Sequence, residues 1–537
     1  MNKRFLAHFF RKNYLWLLLL VISAVVSGYT RMAASLYVQA ISDSILENRL
    51  NAMLTYVAIG VGLHFVSHLF VATSEFQGQY MGERFAYEAR KGLLKHLNIV
   101  RYDVLEKYNQ GDLQSIFRND VNISRRMISV LGNNFPQLFM FIFCLHQMLR
   151  VNAALTITIM AISITYIIIS QGFMRLIRKY ETASRKSFGV LSNIILNALE
   201  GIDTLKMYRG RDFIMQKLIT ERKIFNKNTL NSAKIDTFRL VFFNIINNAV
   251  LYGCVIYLCF QAINGEMSIG VILMYLSLLR QTLSSINVVF RHLGGVMGAI
   301  AAWDRVLTLV ELETEESLIS MPAMNCISQI DISNVSFGYE KNKLIFEDFS
   351  MTLVKGKSYS LKGDSGSGKT TLIKLLLGFY KSNNMEIKLT DNKQVSKITN
   401  LLPITSFIPA NNNLFNLSIY DNIAMGNEKI TRDICMKLAK KIGINEWLQS
   451  LPDGLDTIVD ANNSNLSGGQ AQAICILRAL AVDKPLVIMD EPFASLDTQK
   501  EQLLIEIINK IKTDRIVLLT SHRLGSVNFS DQEIVLE

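Results

Sequence analysis

The chain has 537 residues, half of them hydrophobic and 19% charged, with a mean hydropathy of +0.24 and a formal net charge of +11. Its length exceeds what one compact core organises, and its apolarity excludes both a disordered chain and an ordinary soluble enzyme. The six cysteines (Cys144, Cys254, Cys259, Cys326, Cys435 and Cys475) form no CxxC pair and no metal-ligand spacing, which argues against a disulfide framework or a zinc module.

Charge is distributed unevenly. Residues 1–325 hold 33 Lys and Arg against 21 Asp and Glu, a surplus of 12, whereas residues 326–537 hold 23 against 24, a deficit of 1. The basic first half also carries long apolar runs, so it predicts a membrane protein with basic cytoplasmic loops and no nucleic-acid partner. Pro136 is the only proline before Pro322, which predicts very long helices.

Six apolar stretches follow in order, near 14–38, 52–74, 131–149, 152–173, 240–263 and 269–290. Most reach the ~20 residues that a helix needs to cross a bilayer. Lys3, Arg4, Arg11 and Lys12 precede the first, but no small-residue cleavage site follows it, so it reads as a span and not a signal peptide. The connections 75–130 and 174–239 carry nine and fourteen Lys or Arg. The short connections near 39–51, 150–152 and 264–268 carry Arg49, Arg150 and none. By the positive-inside rule the N-terminus, both long connections and everything after 290 are cytoplasmic. The long connections keep helical spacing (Phe85, Ala89, Leu93) and predict helices that run out of the membrane and turn back. Arg31, His64, His68, His146, Asn244, Asn247, Asn248 and Arg280 fall within the spans; Arg280 and Arg31 are the first candidates for lining a cavity, against snorkelling or helix packing.

The pattern changes after Trp303–Glu311. Residues 313–325 read as a linker, and from Ile330 short β runs give way to α/β alternation. The domains expected are thus 1–312, a six-helix transmembrane domain, and 326–537, an α/β domain, with 313–325 as the linker.

Gly363-Asp364-Ser365-Gly366-Ser367-Gly368-Lys369-Thr370 fits G-x-x-x-x-G-K-[ST], between the strand-like Tyr359–Leu361 and the helical Leu372–Leu377. Gly363, Ser365, Gly366 and Gly368 would turn backbone N–H groups toward phosphate oxygens at a helix N-terminus, with Thr370 and Thr371 following. Lys369 would reach the β- and γ-phosphates of ATP, and Thr370 would hold Mg²⁺. Leu486–Met489 reads as a buried strand ending in Asp490 and Glu491, the first a second Mg²⁺ ligand and the second a base that polarises water.

Leu466-Ser467-Gly468-Gly469-Gln470, 20 residues before Asp490, resembles the signature of ATP-binding cassette (ABC) ATPases. Ala494-Ser495-Leu496-Asp497 resembles their D-loop, His522 their switch histidine, and Tyr339 the aromatic that stacks on adenine. Leu451–Thr457 is similar to a run in exporter-type cassettes, and Gly111–Ser115 with Asn119-Asp120, and Glu200–Lys206, resemble the intracellular loops of these transporters. The resemblance implies an α-helical membrane domain of six transmembrane helices with long cytoplasmic extensions, plus an α/β P-loop ABC ATPase domain. It also implies that Ser467, Gly468, Gly469, Gln470 and Asp497 meet ATP bound by a partner chain, and that His522 joins Glu491 in catalysis.

Two positions depart from the family. Ala410 stands where a glutamine normally contacts Mg²⁺ and the attacking water, with Asn411, Asn412 or Asn413 as substitutes to consider. Asp460-Ala461-Asn462-Asn463 replaces an acidic glycine-containing segment. The sequence also ends 15 residues after His522, so C-terminal helices that are short or absent are expected.

The expectation is an ABC half-transporter of the exporter type in a bacterial cell membrane, surrounded by lipid, using ATP and Mg²⁺. A homodimer is favoured because Lys369, Ser467, Glu491 and His522 are all present; a heterodimer is the alternative, given Ala410. A peptide or amphipathic small molecule is the leading substrate, with acidic groups if the span arginines face the cavity. An importer on the same fold and an ATP-gated sensor with little pumping are the rival readings.

Overall fold

The computed structural model describes residues 2–314, 327–339, 344–364, 366–382, 384–391, 394–460, 465–493, 498–520 and 530–536. Contacts divide the chain into two compact units: Met1–Asn98 with Gln110–Glu311, and Ile99–Asn109 with Leu312–Glu537.

The first unit is helical. It runs α1 (Asn2–Lys12), α2 (Tyr14–Leu46) and α3 (Leu50–Leu97), and resumes after the 99–109 turn, which holds α4 (Tyr102–Leu105). There follow α5 (Gln110–Ser115), a π-turn (Ile116–Asp120), α6 (Val121–Ser124), α7 (Arg126–Val151), α8 (Ala153–Glu200), α9 (Ile202–Met207), α10 (Arg211–Ile263) and α11 (Ile269–Val310). Among the described residues, six helical segments are long and apolar enough to cross a membrane. The 53 residues of α10 extend about 80 Å, far beyond a ~30 Å hydrocarbon core. Long helices survive here because Pro136 is the only proline in this unit. Two of them also start on a side-chain cap: Asn152 accepts from the Leu155 N–H at 3.0 Å at the start of α8, and Ser268 accepts from the Val271 N–H at 3.3 Å at the start of α11.

Small residues allow close helix packing where the hydrophobic effect supplies no force between helices. A Cβ on Gly78 of α3 would lie 2.7 Å from the Gly132 Cα of α7. Beside this contact Ser74 donates to the Gly132 carbonyl at 2.9 Å. In α1, Phe9 is buried and meets Phe85 edge-on at 5.4 Å, and Phe85 packs on Trp303. Asp120, buried in the π-turn, pairs with Arg305. Helices α8 and α10 lie along one another.

The second unit is α/β. Its strands are β1 (Gln329–Phe337), β2 (Phe346–Val354), β3 (Ser358–Lys362), β4 (Glu386–Asp391), β5 (Gln394–Ile398), β6 (Thr405–Ile408), β7 (Leu486–Met489), β8 (Ile516–Thr520) and β9 (Gln532–Val535). An antiparallel sheet has the order β2-β1-β4-β5, and a parallel sheet the order β6-β7-β8-β3-β9. Every residue of β7 and β8 is buried, as expected for parallel strands covered on both faces. Helix α12 (Lys369–Leu376) follows β3. Helices α13 (Ile419–Ala424), α14 (Arg432–Lys441) and α15 (Asn445–Ser450) precede α16 (Gly468–Ala481), and α17 (Thr498–Lys512) links β7 to β8.

Candidate active site

The phosphate loop joins β3 to α12, so its glycines work at the C-terminal edge of the parallel sheet, where α/β folds bind ligands. Gly366 and Gly368 have φ of +92° and +91°. A side chain at Gly368 would meet Ile345 and Phe346 at 2.7 Å, so both conformation and space require glycine. Lys369 is buried, and its Nζ donates to the loop's own Gly363 and Asp364 carbonyls at 2.8 and 2.9 Å. The buried Ser367 hydroxyl has no partner among the described residues. A buried ammonium held by carbonyls and an orphaned hydroxyl at a helix N-terminus fit a phosphate chain.

The acidic pair sits where β7 ends. Asp490 is buried; its N–H donates to the Ile408 carbonyl of β6 at 2.9 Å, and its carboxylate accepts from Thr370 at 3.3 Å. One hydroxyl and one carboxylate converging on a phosphate loop are hard oxygen donors that fit Mg²⁺. Glu491 follows in the left-handed region, φ +48°, which is unusual for a residue with a side chain. Its N–H donates to the Thr520 hydroxyl at 2.8 Å, and Thr520 in turn donates to Asp490 Oδ1 at 2.8 Å. No motif marks Thr520; its signal in the sequence is a hydroxyl closing an otherwise apolar buried strand.

Tyr339 is 61% exposed, leaving ring surface open to a base. Its hydroxyl lies 3.0 Å from that of Thr371, which is thereby directed to Tyr339. Tyr380 meets Tyr339 edge-on at 5.6 Å and stacks on Phe337. The turn Ile99–Asn109 belongs to this unit: Tyr102 stacks on Phe379, and Glu106 accepts from Lys374 and Tyr380. Burial pushes the Glu106 carboxyl up, but the bonds from Lys374 and Tyr380 outweigh it, so the group sits below its ordinary value.

Ser467 caps α16 through a reciprocal box: its hydroxyl accepts from the Gln470 N–H at 3.3 Å and its N–H donates to Gln470 Oε1 at 2.8 Å. The first turn, with Gly468 and Gly469, thus presents its N–H groups from a helix whose later residues are buried. Ala410 is exposed two residues beyond β6. The loop after it is tied down by Arg478 of α16, which donates to the Asn413 carbonyl at 3.3 Å, and by Asn422, which donates to the Phe415 carbonyl at 2.9 Å. Ser365, Asp497, His522, most of the segment 460–463 and most of the linker 313–325 lie outside the described residues.

Within the first unit a cavity of about 1100 Å³ opens between α8, α10 and α11. Neither Arg31 nor Arg280 lines it. Arg280 is exposed elsewhere on α11, and Arg31 is half-buried against Met140. Asn244 and Asn247 do line it; His64, His68, His146 and Asn248 do not. Its cations are Arg175, Arg178, Arg185 and Arg239, against the carboxylates Glu181 and Asp236, and Asp236 is paired with Arg239. The spacing of the first three arginines put them on one side of α8, but only the packing of α10 and α11 makes that side a cavity.

The family model for the ABC transporter transmembrane region matches residues 17–286, and that described as ABC transporter matches residues 346–494. The chain is 26% identical over 496 residues to an ATP-dependent lipid A-core flippase of Vibrio cholerae, covering 89% of this chain and 83% of that protein. It is 25% identical over 497 residues to a putative multidrug export ATP-binding/permease protein of Staphylococcus aureus, covering 90% and 85%. A bacterial Atm1-family ABC exporter solved with ATP bound shares the fold, with a TM-score of 0.83 at 19% identity over 98% of this chain and 94% of the other. Six apolar helices fused to a phosphate-loop ATPase therefore make this chain a member of the ABC transporter family, a multi-pass membrane protein with the fold of an exporter half-transporter.

Proposed function

We propose that two copies of this chain form an ATP-driven exporter of amphipathic molecules carrying an acidic group, peptide or lipid-like, with the N-terminus and the ATPase on the cytoplasmic side of a bacterial cell membrane. The observation that carries the substrate class is the cavity, where four arginines against two carboxylates adjoin the apolar Ile167, Met174 and Phe243. The charged end falls where the apolar stretches stop, so a headgroup would meet arginine while a tail stays in the apolar part. The flippase and multidrug-export relatives support an amphipathic cargo.

In this reading Lys369 exchanges its loop carbonyls for phosphate oxygens, the loop N–H groups orient the phosphate chain, and Tyr339 receives adenine. Thr370 and Asp490 hold Mg²⁺, which, when bound, neutralises phosphate charge. Glu491, with His522, orients and deprotonates the attacking water. Ser467, Gly469 and Asp497 close on the nucleotide of the partner chain, so one chain holds half of each composite site. ATP drives closure because it binds the closed pair more tightly than the open one.

The test is ATPase stimulation of the purified protein in lipid nanodiscs by anionic, neutral and cationic amphiphiles of equal tail length, followed by flux in inverted vesicles. Stimulation and export should favour the anionic member. Preference for a cationic amphiphile, or uptake in the opposite direction, overturns the reading. One observation favours a second reading, an ATP-gated sensor: Ala410 offers no polar group where the family couples hydrolysis to the membrane domain. Stimulated ATPase without uphill flux would select it.

A further inference from the structure

Glu106 belongs to the turn between α3 and α5, yet it packs within the ATPase unit. Its two carboxylate oxygens take different donors: Oε1 accepts from Lys374 at 2.8 Å, and Oε2 accepts from the Tyr380 hydroxyl. Lys374 lies on α12, the helix that starts at Lys369. Its ammonium also sits 5.2 Å over the Tyr102 ring and 5.5 Å over that of Tyr380. Tyr380 is buried, its ring stacked 5.4 Å from Phe337 and set edge-on to Tyr339 at 5.6 Å.

Tyr339 is therefore open on the side toward solvent and held on the other by Tyr380 and by the Thr371 hydroxyl. A ring that must be ordered by its ligand weakens binding through lost rotamer freedom, and a ring ordered beforehand does not. The Tyr380 hydroxyl in turn donates to Glu106 and accepts from Lys374 at 3.4 Å, a donor that Glu106 itself holds.

We propose that Glu106 is a positioning residue for nucleotide: seated on Lys374 and Tyr380, it holds Tyr380 against Tyr339 and so fixes the pose in which Tyr339 receives adenine. This rests on the reading of Tyr339 as the adenine platform. By linkage, adenine binding strengthens the seat of Ile99–Asn109 in return.

The experiment measures KM and kcat for ATP, and inhibition by tripolyphosphate, in the full-length protein and in Tyr339→Ala, Glu106→Gln, Glu106→Asp and Tyr380→Phe. Tripolyphosphate has no base, so it reports the phosphate loop alone. Tyr339→Ala should raise KM for ATP by ~5- to 100-fold, the scale of one base–aromatic stack. Glu106→Gln and Tyr380→Phe should each raise it by roughly 3-fold or more, with kcat changing less and inhibition by tripolyphosphate unmoved, consistent with losing one charge-assisted bond. Glu106→Asp should recover part of the loss. A Tyr339→Ala variant with normal KM overturns the platform reading itself. A normal KM in Glu106→Gln and Tyr380→Phe beside a raised one in Tyr339→Ala overturns only the positioning role. Equal weakening of ATP and tripolyphosphate in Glu106→Gln also overturns it, since the effect would then run through α12 and the phosphate loop. As an independent readout, ATP should slow amide exchange in Ile99–Asn109 more than tripolyphosphate does, and equal slowing counts against the proposal.

Discussion

The Glu491 N–H donates to the Thr520 hydroxyl at 2.8 Å, and these residues, 29 apart in sequence, define the geometry around the acidic pair. Left-handed backbone at a residue with a Cβ costs about 1–2 kcal/mol. Here a hydrogen bond from that residue's own N–H offsets part of the cost. Because Thr520 also donates to Asp490 Oδ1, one hydroxyl joins the Asp490 carboxylate to the Glu491 backbone.

Glu491→Gln keeps size and hydrogen bonding but removes the base. ATP hydrolysis should fall by ~10²-fold or more while nucleotide binding persists. Lys369→Ala should instead weaken nucleotide binding itself. Turnover near the wild-type rate in Glu491→Gln would falsify the base assignment.

Thr520→Val keeps the β-branched shape and removes the hydroxyl. The Glu491 N–H and Asp490 Oδ1 then each lose a partner, and kcat should fall by ~10-fold, since a bond of about 1–1.5 kcal/mol is one factor of ten. The Mg²⁺ concentration for half-maximal activity should rise as Asp490 loses its orientation. A variant with unchanged kcat and Mg²⁺ dependence sinks the idea that Thr520 positions the pair.

Glu106 and Asp531 make stability depend on acidity. Burial raises the Asp531 carboxyl, but bonds from Lys512 and from the Ser358 N–H and hydroxyl outweigh it and hold it below its ordinary 3.8, as Lys374 and Tyr380 hold Glu106 below 4.5. A lowered carboxylate adds stability that is fully present above its unfolded value and is lost as pH falls through its folded value. Glu106→Gln and Asp531→Asn should therefore melt below the wild type at pH near 7, and each deficit should shrink as pH drops below about 4.5 and 3.8, respectively. Thermal melts across that range decide it; a deficit that grows on acidification contradicts the sign.

The cavity gives a contrast between arginines. Arg178→Ala and Arg185→Ala should lower stimulation of the ATPase by an anionic amphiphile more than by a neutral one, and Arg280→Ala, outside the cavity, should not discriminate between them. Equal responses to both amphiphiles in all three variants would remove the electrostatic basis for the substrate class.

Legibility in the sequence tracked how local each feature was. The strand, glycine loop and helix around Lys369 are contiguous, so spacing alone located them. The six spans were legible because a bilayer imposes a minimum apolar length. The Glu106–Tyr380 bond joins residues 274 apart, and no periodicity predicts which side chain a distant turn will meet. The arginines that line the cavity between α8, α10 and α11 carried no signal for a related reason. Charge within a span drew attention to Arg31 and Arg280, whereas the arginines that line the cavity lie just past the apolar stretches, where basic residues are common and carry no distinguishing signal.

Ala410 is the position where sequence and geometry ask the same question. The Asp490 N–H donates to the Ile408 carbonyl, so residue 410 begins two positions from the acidic strand's partner. A methyl group there can neither ligate Mg²⁺ nor hold water. The next residues are already engaged: the Asn413 N–H donates to the Asn411 carbonyl at 2.8 Å, and the Asn413 carbonyl accepts from Arg478 of the helix that Ser467 caps. These bonds use backbone and leave the Asn411 and Asn413 side chains exposed. If the contact is truly lost, ATP should bind and close the dimer normally, hydrolysis should be slow and weakly responsive to cargo, and Ala410→Gln should raise turnover or cargo stimulation. If an asparagine amide substitutes, Ala410→Gln should do little, and alanine replacement at one of Asn411, Asn412 or Asn413 should cut hydrolysis without weakening ATP binding. Arg478→Ala separates the two accounts. It frees the loop from α16, so it should depress hydrolysis when a loop amide reaches the site and leave little mark when nothing in the loop does. A fast, strongly cargo-stimulated enzyme indifferent to all five substitutions would place coupling outside this loop.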